Sequence, residues 1–172
     1  MHIFTDRKHI IIDTRSEEAF INHHIDGSVF VGFHGIEFKY WLELLLPDKN
    51  IDIEVISDVV SRQHILETIH QLGYLHATIM TDDVESEALS TMPLLPNSDD
   101  TPVLDVRDYS ESDAKAHVAD ILQVKSGDDN QQYIVHCNKG YRSLIVVSVL
   151  KLLGLCKFIH VDNGELGQQK LK

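Results

Sequence analysis

Two cysteines, Cys137 and Cys156, are all that 172 residues contain, too few for a disulfide framework. With no signal-peptide pattern at the start, a reducing compartment, the cytoplasm, is expected. Positive charge is scarce too: 15 Lys and Arg stand against 27 Asp and Glu, a net charge of −12. That excludes a general surface for nucleic acid or an anionic membrane, so any anion site must be local. Long apolar runs are missing. The longest, LIVVSVLKLLGL from Leu144 to Leu155, carries Lys151 and is too short to cross a bilayer, so it reads as a buried helix. His23, His24, His34, His64, His70, His76 and His117 are scattered without ligand spacing or cysteine partners, so no metal and no other cofactor is expected. What the chain does have is apolar material for a packed core, 43% of its residues, and an ordinary charged fraction of 24%.

It also has a repeat, with a period of about ninety residues. HIIIDTRSEEAF lies over TPVLDVRDYSES, each an apolar strand ending in Asp-x-Arg: Asp13 and Arg15, then Asp105 and Arg107. Farther on, residues 52–80 lie over residues 131–161, both reading as strand, loop, helix, glycine, strand. The β-branched triplets mark buried strands. Leu144, Val147 and Leu150 recur at helical spacing, and Gly73 or Gly154 supplies a left-handed stop. Strand, crossover helix, strand is the parallel α/β unit, so two tandem domains are expected, each a mainly parallel sheet flanked by helices. TMPLLPNSDDTP reads as the linker and places the domains at 1–96 and 97–172. Tyr40 and Trp41, in FKYWLELLLP, read as packing residues of an amphipathic helix.

The second copy carries VHCNKGYRS, residues 135–143. A thiolate is favoured where backbone N–H groups at a helix N-terminus and nearby cations converge on it. Lys139 and Arg142 share this loop with Cys137, and Gly140 lets the backbone curl so that successive N–H groups point inward, an anion-binding nest opening a helix near Ser143. A free cysteine is more often a small buried hydrophobe than a nucleophile, and Cys156, after the helix stop, keeps that reading. For Cys137 the strand before it, the glycine and arginine at these offsets, and the helix after it favour the nucleophile.

Loop length separates two chemistries. Cysteine phosphatases resemble this stretch but place five residues between cysteine and arginine. This chain places four, Asn138, Lys139, Gly140 and Tyr141. The shorter ring is similar to that of the rhodanese sulfurtransferases, and the resemblance runs through both copies. IIDTRSEEAFINHHIDGS resembles the family's opening pattern, with His24, Ile25, Asp26 and Gly27 as its His-Ile-x-Gly segment. The second copy has His117, Val118, Ala119 and Asp120 there instead. The pair most resembles the rhodanese region that follows a metallo-β-lactamase-like persulfide dioxygenase domain in bacterial sulfide-handling proteins. No His-x-His-x-Asp-His stretch occurs, so that dioxygenase domain is a possible fused or associated partner and not part of these residues.

The resemblance implies sulfane-sulfur transfer from thiosulfate or a small persulfide to a nucleophilic acceptor through a Cys137 persulfide. It assigns catalysis to Cys137 and Arg142, the substrate-binding loop to Asn138, Lys139, Gly140, Tyr141 and Ser143, and structural support to Asp105 and Arg107. In the first copy, Asp58 aligns with Cys137 and Arg62 lies near the arginine end, so that copy is expected to be noncatalytic. VDNGELGQQKLK ends short of the closing aromatic helix the resemblance implies, so a fragment of a longer polypeptide or a reduced variant is expected. A noncatalytic sulfur-relay or regulatory module, and a cysteine phosphatase or arsenate reductase, are the alternatives.

Overall fold

The computed structural model describes residues 4, 7–80, 86–92, 101–107, 132–154, 157–162 and 164. The chain forms two compact units, Met1–Glu87 and Ala88–Lys172. Both are α/β, and among the described residues each has a four-stranded, wholly parallel sheet, with helices packed on it in the first unit and one long helix in the second.

In the first unit, β1 (His9–Asp13), β3 (Val29–Phe30), β4 (Asp52–Ile56) and β5 (Ala77–Ile79) lie in the order β3-β1-β4-β5. A separate antiparallel pair joins β2 (His24–Ile25) to β6 (Ser86–Glu87). The central strands β1 and β4 are rich in Ile and Val, and Ile10, Ile12, Ile53 and Val55 are buried, as a sheet covered on its faces requires. Helix α1 (Glu17–Asn22) starts where the Ser16 hydroxyl accepts the Ala19 N–H at 3.2 Å, and Glu17 and Glu18 face its positive end. Helices α2 (Gly35–Leu45) and α3 (Arg62–Gln71) bury Phe38, Trp41, Leu42 and Leu45, and Ile65, Thr68 and Ile69. Each such apolar side chain contributes about 1.5–3 kcal/mol by leaving water. Trp41 packs as expected, but Tyr40 does not: it is 57% exposed, because the step of one helical residue turns it away from the buried stripe.

In the second unit, β7 (Thr91–Met92), β8 (Val103–Asp105), β9 (Tyr133–His136) and β10 (Phe158–Val161) lie in the order β7-β10-β9-β8. The units divide between Glu87 and Ala88, ahead of the linker expected from sequence. Thr91 and Met92 open that stretch, precede its first proline, and pair with His160 and Val161. Helix α4 (Tyr141–Leu152) buries every residue from Ser143 to Leu150. A run so rich in Val and Ile has little intrinsic helix preference, and enclosure on all sides is what makes the helix pay its way. Both helix stops expected from sequence are left-handed, Gly73 at φ 95° and Gly154 at φ 83°. Among the described residues no helix is long and apolar enough to cross a membrane.

Candidate active site

Strand β9 ends at His136, and Cys137 is the next residue, at the carboxyl end of the parallel sheet. That end is where open α/β sheets leave a crevice for ligands. Gly140 has φ 92° and caps α4, a conformation costing a residue with a β-carbon about 1–3 kcal/mol. The turn brings the Gly140 N–H to 3.2 Å from the Cys137 sulfur, where it donates. The Ser143 hydroxyl lies 3.5 Å from the same sulfur and 2.9 Å from the Gly140 carbonyl oxygen, to which it can donate. The expected loop residues therefore converge: Cys137 at the base with 1% exposure, Gly140 and Tyr141 buried, Asn138 and Arg142 half-buried, and Lys139 exposed.

Asp105 and Arg107 form a clasp at the end of β8. Arg107 donates from Nε at 2.9 Å and from Nη2 at 2.6 Å to the Asp105 carboxylate, and from Nη1 to Asn138 Oδ1 at 3.4 Å. Burial alone would raise the Asp105 carboxyl. Hydrogen bonds from the Arg107 side chain and backbone, with the positive field of His136 and Arg107, outweigh it and hold the group below its ordinary value. The same clasp occurs in the first unit, where Arg15 donates from Nε to Asp13 at 3.0 Å and from Nη2 at 2.6 Å.

The two clasps fix a register that corrects the alignment of the first loop. Asp13 pairs with Ile56 and Asp105 pairs with His136, so the residue following each strand, Ser57 and not Asp58, occupies the Cys137 position. Counted from there, Arg62 falls at the Arg142 position and Val60 at the Gly140 position. The expected alignment of the two strands, with Asp58 opposite Cys137, is off by one residue. The first loop thus keeps the spacing and the arginine, and lacks the thiol and the glycine. Val60 is fully exposed, and a β-branched residue resists the left-handed turn that aims the Gly140 N–H inward.

Two further residues complete the second site. His160 on β10 is buried, with Nδ1 at 3.2 Å from the Ser143 hydroxyl, and burial holds its pKa down at about 4. Gly164 has φ 56°, and a β-carbon there would stand 2.6 Å from the Asn138 carbonyl carbon and 2.7 Å from its oxygen. Only a glycine lets this backbone press against the loop. Sequence reasoning missed both. The signals present were a histidine inside an apolar strand, FIHV, and the Asn-Gly pair after it.

His24 of the His-Ile-x-Gly segment is buried, stacked on Phe20 at 4.4 Å, with Nδ1 2.9 Å from the Phe20 carbonyl oxygen. Its partners make it a packing residue of the first unit. Cys156 and residues 117–120 lie outside the described residues. Among the described residues, no cluster of three His, Cys, Asp or Glu could hold a metal ion.

No family model matches this sequence, and no curated protein matches it. Among solved structures, the chain is similar to the thiosulfate sulfurtransferase from Pseudomonas aeruginosa, with 17% identity and a TM-score of 0.40 over 98% of this chain and 40% of that one. It is also similar to EanB in a cysteine-persulfide tetrahedral intermediate state with ergothioneine, with 10% identity and a TM-score of 0.45 over 98% of this chain and 59% of that one. A complex of EanB with hercynine gives 11% identity and a TM-score of 0.44, over 98% and 58%. The chain spans less than two thirds of the length of these structures.

Proposed function

We propose that the second unit is a rhodanese-type sulfurtransferase in which Cys137 carries the transferred sulfur, and that the first is its noncatalytic counterpart. The observation that carries this reading is the short ring, with four residues between Cys137 and Arg142 and the Gly140 N–H donating to the sulfur at 3.2 Å. A ring of this size suits one added sulfur atom, whereas a phosphoryl group needs room for three oxygens and an in-line approach.

The chemistry is covalent catalysis by an activated thiol. The Cys137 thiolate attacks the outer sulfur of thiosulfate, a sulfur–sulfur bond forms, and the donor's own sulfur–sulfur bond breaks as sulfite leaves with the electron pair. A small persulfide would react in the same way and release a thiolate. A nucleophilic acceptor then attacks the outer sulfur of the Cys137 persulfide, and the Cys137 thiolate leaves with its pair. In this reading the N–H groups from Asn138 to Arg142 hold the persulfide, Lys139 draws in the anionic donor, Arg142 braces the ring, and the Asp105–Arg107 clasp fixes Asn138. The resemblance to proteins carrying a persulfide dioxygenase names such a domain, fused or associated, as a partner that would consume a small persulfide formed when a thiol accepts the sulfur.

The near-complete burial of Cys137 favours a second reading, a relay module that holds sulfur and turns over little. Both are tested by intact mass after incubation with thiosulfate. Transfer predicts a gain of about 32 Da on Cys137, the mass of one sulfur, and its discharge by a small thiol in repeated cycles. A single uptake without cycling selects the relay. No uptake, or rapid hydrolysis of an aryl phosphate, overturns both. Cys137→Ser should abolish uptake while circular dichroism stays unchanged, since the residue closes a loop and fills no strand or helix position.

A further inference from the structure

The Ser143 hydroxyl is a buried group with one proton and three neighbours that can accept it. The Gly140 carbonyl oxygen lies at 2.9 Å, His160 Nδ1 at 3.2 Å and the Cys137 sulfur at 3.5 Å. Ser143 is 0% exposed and His160 1%, so water cannot make up a shortage of donors there. A carbonyl oxygen only accepts, and so does a thiolate. If Nδ1 were also an acceptor, three acceptors would compete for one hydroxyl proton. A proton on Nδ1 removes the conflict, because the imidazole then donates to the Ser143 oxygen.

We infer that His160 is a positioning residue for Cys137: it holds its proton on Nδ1, donates it to Ser143, and so frees the Ser143 hydroxyl proton to serve the sulfur. With sulfur charged, the Ser143 hydroxyl turns toward Sγ and joins the Gly140 N–H as a second donor. With the charge moved to the outer atom of a persulfide, the hydroxyl returns to the Gly140 carbonyl. No proton leaves His160 or Ser143 in either arrangement, and burial keeps the imidazole neutral near neutral pH. The inference rests on the proposed role of Cys137 as nucleophile, but its readouts require no sulfur transfer.

Among the described residues, the other ionisable side chains on the surrounding elements are Asp105 at the end of β8 and Arg107 after it, Tyr133 and His136 on β9, Lys139 in the loop, Tyr141, Arg142 and Lys151 on α4, and Lys157 and Asp162 on either side of β10. None is changed in the test, so their fields are common to every variant. The first arm is nitrogen-15 NMR of the histidines in the full chain, with His160 assigned by the loss of its signals in His160→Asn. The Nδ1–H tautomer is expected, and an Nε2–H tautomer overturns the inference. The second arm is the rate of Cys137 alkylation by iodoacetamide at neutral pH, read on the Cys137 peptide. His160→Leu should slow it about tenfold, the order expected for losing a donor to a charged group. Ser143→Ala should slow it about as much, and the double variant no further. His160→Asn places an amide N–H where Nδ1–H was and should stay within about twofold, while His160→Gln, whose amide reaches the Nε2 position, should be slow. A folded His160→Leu protein with the unmodified rate overturns the inference. Should His160→Leu fail to fold, equal rates for the Asn and Gln variants overturn it. Loss of the 32 Da uptake with this alkylation pattern intact would instead overturn the sulfur-transfer reading alone.

Discussion

Lys139 is exposed, in a chain of net charge −12 that repels anions at a distance. A cation in the loop that carries the thiol therefore acts over a short range that salt screens. Lys139→Ala should raise the KM for thiosulfate about three- to tenfold, flatten its dependence on ionic strength, and leave kcat within about twofold. An uncharged donor should be affected less, and steady-state kinetics at two salt concentrations decide it. The first loop supplies a complementary test. Ser57 occupies the position of Cys137, with Arg62 at the same distance along the chain as Arg142, so Ser57→Cys supplies a thiol but not the turn. It should gain no sulfur on residue 57 when incubated with thiosulfate, because Val60 stands where the left-handed glycine is needed. A second 32 Da addition would show that the turn is dispensable.

At the scale of elements, the site is the meeting of a strand end, a helix start, a neighbouring clasp and a backbone pressed in from after β10. Gly164→Ala tests the last. Its β-carbon would collide with the Asn138 carbonyl group, and backbone atoms cannot yield as a flexible side chain does. The expected cost is about 1–3 kcal/mol of stability, with sulfur transfer down at least about tenfold. Urea unfolding and the mass assay measure the two effects separately. Most of this architecture was legible beforehand. Strand, loop, helix and glycine stop are periodicity and turn chemistry, which are local, and the Asp-x-Arg ends marked the clasps. What was not legible depends on register. Whether Ser57 or Asp58 matches Cys137 is settled by cross-strand pairing, and the approach of His160 and Gly164 to the loop is settled by where β10 lies. The first left one trace, the four residues between Ser57 and Arg62 that match the second ring, and the approach of His160 and Gly164 left none in the spacing of residues along the chain. Thr91–Met92 escaped for the same reason, since a two-residue strand is defined by its partner and not by its composition.

For the whole molecule, acid is the condition to examine. His160 has its pKa lowered from 6.5 to about 4 in the folded protein, so the unfolded chain binds the proton more readily between those values. Stability is then unaffected above about pH 6.5, falls as pH drops toward 4, and levels off below it, a loss of up to about 3 kcal/mol. Asp105, held below its ordinary value, adds a loss of the same sign, beginning as pH falls past its unfolded value of 3.8. Urea denaturation from pH 7 to pH 4 should show the His160 part vanish in His160→Asn. Parallel curves for the two proteins would show that the buried imidazole is not the cause.

The order β7-β10-β9-β8 has a consequence for how the second unit comes into being. Among the described residues its last strand in sequence is an interior one, and β7, the first, pairs with that strand alone. A nascent chain exposed as far as Cys137 has the thiol but neither the Ser143 to His160 contact nor the strand that ties β7 down. Pairing across so long a stretch is slow relative to forming a helix, since the loop must close before the contact rewards it. The cysteine is therefore open to oxidation early in the life of the polypeptide, and is enclosed by its neighbours only when β10 slots into the gap.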